Sequence, residues 1–469
     1  MRQVFSKPST IPGWLMASIP TRRYPRLIIV VLALALFVRL GFLYRNWNNL
    51  DFAASYLMHA EVARNILNGH WFQLDQQYLQ GYLQECTNQS KLIDPQDYPP
   101  PTEEHLVPLY NDEGGYGLLL AAIWKITGSH RWWYVRVLQL LLDVLMCWLV
   151  YQIGTRTFHE RVGLLAAFVY ACFIPGIELA VRPHRDIWVT FLFIVTVYQL
   201  IAISSAPNKW WRILGIGVAT GVVAWMRSTV LLFVILMVPL LFVTKPWKDA
   251  LRYSFLLLVG FVLTFSPLVI RNYVVFNKFM ATRGVFWHSF WAGVGQMPNP
   301  YGVRDDDETV IRFAHTLDST AQYKTDHYEQ VLRREALRFV GEHPFLYAGS
   351  IVKRGVVFVF PKIGRELFFQ PQLPQHVTGT LNLSFGKFVL MIVDGLFTGC
   401  FLFGLWLSRK RWRDLMIVCY PYIYTLVTLA PFYLVGRNIM NVYFVVMIFG
   451  SVTIIHIWER FKPAASRAL

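Results

Sequence analysis

Asp51 stands just beyond the first long apolar run of the chain, in Asn46-Trp47-Asn48-Asn49-Leu50-Asp51. A carboxylate at a membrane–water boundary can take a proton from an acceptor hydroxyl or amine, and at the exit of a span it can equally cap the helix that follows. Glu61, in Ala60-Glu61-Val62-Ala63-Arg64, is a second acid after the same run. Asp112 and Glu113 are adjacent acids ahead of an apolar helix expected over residues 118–126. Such a pair can hold a divalent cation through oxygen or complement the dipole of that helix. Arg182-Pro183-His184-Arg185-Asp186 joins two apolar runs. Its two guanidiniums and imidazole can grip a lipid-linked phosphate through charge-assisted hydrogen bonds, or anchor the segment among lipid headgroups. Arg271 ends another apolar run, Arg437 sits between the last two, and Lys353-Arg354 lies in an apolar stretch between them. Each alone serves as an interface anchor. Together they make a ring of positive charge that suits a polyprenyl phosphate better than a neutral substrate.

These residues need a membrane scaffold. Of 469 residues, 55% are hydrophobic and only 15% charged, against about 25% charged in an ordinary soluble domain. Too little polar material is present to coat several soluble domains, which excludes a cytosolic enzyme, a disordered chain and the usual nucleic-acid binder. A spanning helix needs about 20 mostly apolar residues. Ten segments are candidates: 27–45, 134–153, 162–180, 187–203, 212–226, 229–243, 253–270, 387–407, 415–434 and 439–458. With the N-terminus in the cytoplasm, every short loop on that side is basic, nineteen Lys and Arg against four acids. Much of the formal charge of +16 is therefore a topology signal, and no nucleic acid is needed to explain it.

The expected architecture is an all-α polytopic membrane protein. A cytoplasmic segment 1–26 precedes a transmembrane core 27–270, which contains a first outer loop 46–133. A second outer loop 271–386, the last three spans 387–458 and a cytoplasmic tail 459–469 follow. Both outer loops carry amphipathic helices. One is expected near 54–67, stopped by Asn68-Gly69. The other is expected near 328–341, where Val331, Leu332, Ala336, Leu337, Phe339 and Val340 favour one side and Glu342-His343-Pro344 ends the pattern. Arg39, Asp143, Arg227 and Asp394 lie within spans, where ionisable groups pair or line a cavity; Arg39 is expected to pair with Asp143 or Asp394. Four of the five cysteines lie in apolar runs, so neither a disulfide framework nor a zinc site is expected.

Several stretches, in order along most of the chain, resemble one family. They are the acid after the first span with Ala60-Glu61-Val62-Ala63-Arg64-Asn65-Ile66-Leu67-Asn68-Gly69, then Tyr116-Gly117-Leu118-Leu119-Leu120, Gly154-Thr155-Arg156-Thr157-Phe158-His159-Glu160-Arg161, and Ser266-Pro267-Leu268-Val269-Ile270-Arg271-Asn272-Tyr273. The last resembles a Pro-x-x-x-Arg-Asn-Tyr motif. The chain thereby resembles the bacterial GT-C fold glycosyltransferases of the protein O-mannosyltransferase and aminoarabinose-transferase superfamily. The resemblance implies a GT-C-like bundle of about ten transmembrane helices. It implies an enzyme that takes a sugar from a polyprenyl-monophosphate donor and passes it to a lipid, glycan or protein acceptor on the outer face of the membrane. The family's catalytic base falls on Asp51, with Glu61, Asp112 and Glu113 as the other candidate acids. The chain departs from the family in two places. The tyrosine close after the acid is displaced to Tyr56. Where the aminoarabinose-transferase type has Lys-Pro-Pro, this chain has Asp112-Glu113-Gly114-Gly115-Tyr116, without the lysine.

The expected reaction is a single displacement with inversion. Asp51 takes the acceptor proton. Arg182, Arg185, Arg271 and Arg437 hold the leaving phosphate, with His184, Lys353 and Arg354 as further candidates. No cofactor is required, and a divalent cation is compatible with the acids. The implied partners are the donor and membrane lipid; the acceptor stays open. The implied location is a bacterial inner membrane with the site facing the periplasm. Two competing classes remain: a transporter or flippase for lipid-linked sugars, which would favour inverted repeats, and a ligase or polymerase using lipid-diphosphate glycans. No repeat is visible in the chain.

Overall fold

The computed structural model describes residues 25–47, 57–100, 103–110, 113–205, 210–282, 284–323, 325–369 and 383–461. Helix α1 (Pro25–Arg45) is followed by a first polar group: α2 (Leu57–Leu67), β1 (Gln73–Leu74), α3 (Gln76–Asn88), β2 (Val107–Pro108) and α4 (Gly115–Thr127). The bundle continues with α5 (Trp132–Thr157), α6 (Glu160–Ala171), α7 (Ile174–Val181), α8 (Asp186–Ser205), α9 (Trp211–Ala224), α10 (Leu231–Thr244) and α11 (Trp247–Phe276). A second polar group holds α12 (Phe286–Val294), α13 (Asp307–Leu317), α14 (Asp326–Glu342), α15 (Pro344–Val359) and α16 (Pro361–Phe368). The chain closes with α17 (Leu383–Ser408), α18 (Trp412–Leu429), α19 (Gly436–Met440) and α20 (Tyr443–Phe461).

Each of the ten apolar segments is helical in large part. Among the described residues six stretches are long and apolar enough to cross a membrane, or seven when α6 and α7, bent by 59° at their junction, count as one span. Helices α9 and α10 have 14 residues each, short of the about 20 that a full crossing needs. One of the six is a 42-residue stretch, Phe388–Leu429. It turns back at the basic turn Arg409–Arg411, because the rings of Phe401 and Tyr422, on either side of it, lie 5.0 Å apart.

Glycines let the bundle close. Gly217 and Gly221 of α9 sit against the backbone of α11 and the side chain of Thr264, and Gly260 of α11 sits against the Leu214 carbonyl. This small-residue face brings the two backbones together as in membrane helix pairs. Inside the bundle Arg39 forms a buried ion pair with Asp143, 2.5 Å apart. Tyr170 also donates to Asp143, at 2.6 Å. Asp394 instead accepts from the Lys362 and Ile363 N–H groups, at 2.9 and 3.3 Å, and so caps α16.

The two polar groups have cores of their own. In the first, Arg64 reaches Tyr78 Oη and the carbonyls of Pro95 and Tyr98, at 2.7–2.9 Å, and ties the proline-rich middle to α2. The two strands pair antiparallel, Gln73 with Pro108 and Leu74 with Val107. In the second, α12, α13 and α14 pack around Trp291, Tyr328 and Leu332. Helix α14 covers the expected segment, with Val331, Leu332, Ala336 and Phe339 buried. Leu337, expected on the same side, is 57% exposed. It falls on the arginine-bearing strip, beyond the arc that the core can cover.

Candidate functional site

The turn between α7 and α8 brings charge into the bundle. Asp186, the first residue of α8, is fully buried. Arg227, at the α9–α10 junction, places Nε 3.3 Å from Asp186 Oδ1. Arg437, on α19, places Nε 3.4 Å from Oδ2. The backbone N–H of Asp186 donates to His184 Nδ1 at 3.0 Å, so the proton of the neutral ring sits on Nε2. Burial, with three arginines nearby, pushes the His184 pKa down to about 3, against the opposing pull of Asp186. His184 is therefore uncharged at neutral pH. Arg185 pairs with Glu113 Oε2 at 2.9 Å, and the other oxygen of Glu113 accepts from the Ser228 N–H at 2.8 Å. Arg227 also donates to Asn438 Oδ1 at 3.1 Å.

Among the described residues, three arginines thus face two carboxylates, Asp186 and Glu113. The contacts to Asp186 are longer than the 2.7–2.9 Å of a locked charge-assisted hydrogen bond, so donor capacity is left over. Arg185 and Arg227 are buried, whereas the Arg437 side chain is 42% exposed. Arg437 meets Asp186 through Nε and is the most exposed arginine of the cluster. A half-buried cationic cluster of this kind draws a phosphate more strongly than a fully solvated one.

The structure brings together Glu113, His184, Arg185 and Arg437 from the residues singled out in the sequence. Arg271 stands across a narrow cleft that it shares with Glu113, Gly114 and Asn272. It donates to the carbonyls of Leu109 and Phe72, at 3.2 and 3.1 Å, and so ties α11 to the first polar group. Other candidates have partners of their own. Arg182 pairs with Glu178 one turn back on α7. Arg354 is buried and donates to the carbonyls of Gly293 and Ala430, at 2.6 and 3.0 Å, while Lys353 beside it is exposed. Glu61 is fully buried and accepts from the Asp75 N–H, and burial pushes its pKa up to about 8. Asp51 and Asp112 lie outside the described residues. The flanks of Asp51 are held: Arg136 donates to the Trp47 carbonyl at 2.8 Å, and Leu57 opens α2 fully buried.

Two residues of the cluster were not singled out as site residues. Asp186 was read as part of the basic turn and Arg227 as one more ionisable group within a span. The available signal was the cost of a charge in an apolar segment, which demands a partner. Among the described residues, no group of three or more His, Cys, Asp and Glu side chains could hold a metal ion.

Residues 115–270 match the family model described as dolichyl-phosphate-mannose-protein mannosyltransferase. No curated protein matches the chain. Among solved structures, the oligosaccharyltransferase of Archaeoglobus fulgidus in the apo form matches with a TM-score of 0.51 at 10% identity, over 95% of this chain and 52% of that one. The same enzyme tethered to an acceptor peptide containing the NVT sequon matches with a TM-score of 0.52 at 11% identity, over 93% and 50%. Its complex with an inhibitory peptide and a dolichol-phosphate matches with a TM-score of 0.51 at 12% identity, over 93% and 51%. At such identities the likeness is one of fold, and this chain spans about half the length of those structures. The resemblance read from the sequence thus meets a mannosyltransferase family model in its middle and a GT-C glycosyltransferase fold along nearly all of its length. It is a multi-pass membrane protein of that fold.

Proposed function

We propose that this chain is a membrane glycosyltransferase. It moves a sugar from a polyprenyl-monophosphate donor to a lipid, glycan or protein acceptor on the outer face of a bacterial inner membrane. The observation that carries this reading is the convergence of Arg185, Arg227 and Arg437 on the Asp186 turn, with the Arg437 guanidinium half-exposed. A sugar phosphodiester donor carries a single negative charge. As the bond from the sugar C1 to the phosphate oxygen breaks, the oxygen keeps the electron pair and the departing phosphomonoester approaches two charges. Arg437 is placed to meet that added charge, with Arg227 and Arg185 behind it. The acceptor oxygen forms the new bond to C1 from the opposite face, so the configuration inverts. Its proton goes to a carboxylate, for which Asp51 is the choice that the sequence offers.

The test uses the purified chain in lipid nanodiscs with matched monophosphate and diphosphate sugar donors. Transfer from the monophosphate alone supports this reading. Transfer from the diphosphate alone makes the chain a ligase of lipid-diphosphate glycans, and donor movement without transfer makes it a flippase. Asp51→Asn keeps helix-capping ability and removes the basicity. It is expected to cut transfer by about 10²–10⁴-fold while leaving donor binding intact. If that variant stays active and Glu61→Gln or Glu113→Gln is silent, the base is the silent residue. Transfer is expected to persist in EDTA; its loss there and return with a divalent cation would add a metal to the site.

A further inference from the structure

Arg437 is carried by α19, a helix of five residues. A helix that short cannot hold its own direction, so its flanks decide where the guanidinium stands. On one flank, Asn438 Oδ1 accepts from Arg227, and Asn441 Oδ1 accepts from the Thr190 hydroxyl of α8 at 2.9 Å. On the other runs the stretch 430–435, which joins α18 to α19 without regular structure.

Buried backbone groups in such a stretch still need partners, and the second polar group supplies them. Arg354 of α15 donates to the Ala430 carbonyl at 3.0 Å, and Tyr347 of the same helix donates to the Pro431 carbonyl at 2.9 Å. Gly293 of α12 lies against the Phe432 carbonyl with no room for a Cβ. Gln296, two residues beyond α12, makes the contact nearest to Arg437. Its Nε2 donates to the Leu434 carbonyl at 2.7 Å, and its Oε1 accepts from the Leu434 N–H at 3.2 Å. One side-chain amide thus pairs with both backbone groups of one residue, as an antiparallel strand would. Gln296 and Leu434 are each 2% exposed, so water does not replace these bonds when they are lost. The next residue, Val435, accepts from the Asn438 N–H at 3.0 Å and opens α19.

We propose that Gln296 is a positioning residue of the site: by holding Leu434 it sets Arg437 against Asp186, and so couples the second polar group to the arginine cluster. The proposal rests on the reading of Arg437 as a contact to the donor phosphate. Gln296 itself touches no substrate. Its Nε2 reaches one other group, Asp305 Oδ2, at 3.4 Å.

The test uses the full chain in nanodiscs. Gln296→Met keeps the length of the side chain and loses both bonds to Leu434. Gln296→Asn keeps the amide but is one methylene short, so it is the milder change and decides the test if the first variant does not fold. Val310→Ala opens a cavity in the core of the same polar group without removing a bond to the stretch 430–435, and so controls for lost stability alone. The first readout is the rate at which phenylglyoxal modifies Arg437, followed by peptide mass spectrometry. It should rise in both Gln296 variants and keep the wild-type value in Val310→Ala. The second is the affinity for farnesyl monophosphate by titration calorimetry. Gln296→Met should weaken it about tenfold, since a misplacement of about 1 Å can cost up to about 10²-fold. Gln296→Asn should weaken it about threefold, the loss of one hydrogen bond. Adding Gln296→Met to Arg437→Ala should change the affinity of Arg437→Ala by less than about twofold, because the group being positioned is already gone.

An Arg437 rate unmoved in both Gln296 variants, an equal rise in Val310→Ala, or losses that multiply in the double variant would overturn the proposal. The two readings fail separately. A raised Arg437 rate in the Gln296 variants, with Arg437→Ala binding farnesyl monophosphate as tightly as the wild type, keeps the positioning and overturns the phosphate contact. Weakened binding in Arg437→Ala alone does the reverse.

Discussion

His184 and Glu61 are both held neutral by burial, from opposite sides of their titrations. The His184 pKa is pushed down to about 3 from 6.5. As pH falls below about 6.5, the unfolded chain takes up a proton that the folded chain refuses, so folding weakens on the acid side. The Glu61 pKa is raised to about 8 from 4.5 by burial, against the help of the Asp75 N–H. Its contribution is intact below pH 4.5 and is lost as pH rises toward 8, at no more than about 1.4 kcal/mol per pH unit. Glu61→Gln removes that titration. The variant should melt near the wild-type temperature at pH 5 and above it at pH 8.5, by differential scanning fluorimetry in nanodiscs. A gap that does not widen with pH would show that Glu61 is ionised in the fold. The arginines divide in the same residue-by-residue way. Arg437→Ala should weaken donor use by about 10- to 150-fold, the loss of one charge-assisted contact to phosphate, because Asp186 keeps Arg227 and only the half-exposed donor is lost. Arg182→Ala removes a guanidinium already paired with Glu178, and donor use should change less than about threefold. Equal losses, measured as initial transfer rates at matched donor concentrations, would remove the Asp186 cluster from phosphate binding.

Helices α9 and α11 depend on one another through Gly217, Gly221 and Gly260. Gly221→Val places a branched side chain against Thr264 and the Phe261 carbonyl, and overpacking of this kind costs about 1–3 kcal/mol. Gly215, on the same helix, has nothing within 4 Å of where its Cβ would be. Gly221→Val should therefore lower the melting temperature and the yield of monodisperse protein, and Gly215→Val should do neither. The element scale is also where the sequence is most readable. A run of apolar residues announces a membrane helix wherever its partners lie, so all ten segments are helical. Their lengths were less readable, because α9 and α10 stop at turns set by contacts with other helices: the Ser228 N–H is held by Glu113, far away in the chain. Helix α3 had no apolar stripe to announce it, and its start rests on Asp75, whose carboxylate accepts from the N–H groups of Gln77 and Tyr78.

The whole bundle has two ends of different character. At one, Arg161 pairs with Glu459 at 3.1 Å and Arg411 donates to the Thr157 carbonyl at 3.1 Å, so the α5–α6 turn, the α17–α18 turn and the end of α20 lie together. These are the basic loops that orientation rules assign to the cytoplasm. The Asp186 cluster is built from other elements: the start of α8, the approach to α4, the α9–α10 junction and α19. Four of its six residues were legible: Glu113 as one of two adjacent acids, and His184, Arg185 and Arg437 because they crowd into short loops where basic residues are unusual. The rest was not, because Asp186 meets Arg227 and Arg437 only after four separate segments converge, and spacing along the chain carries no trace of it. The two ends also make orientation testable. In a background without the native cysteines, Glu308→Cys on α13 and Asp414→Cys on α18 place thiols at positions whose side chains are 81% and 74% exposed. If the arginine cluster faces outward, a membrane-impermeant maleimide added to intact cells should label Glu308→Cys at once. Asp414→Cys should react only after the inner face is opened. The opposite pattern would put the cluster in the cytoplasm, where a donor phosphate would have to be met before the lipid crossed the membrane, and the outward-facing reaction would fall with it.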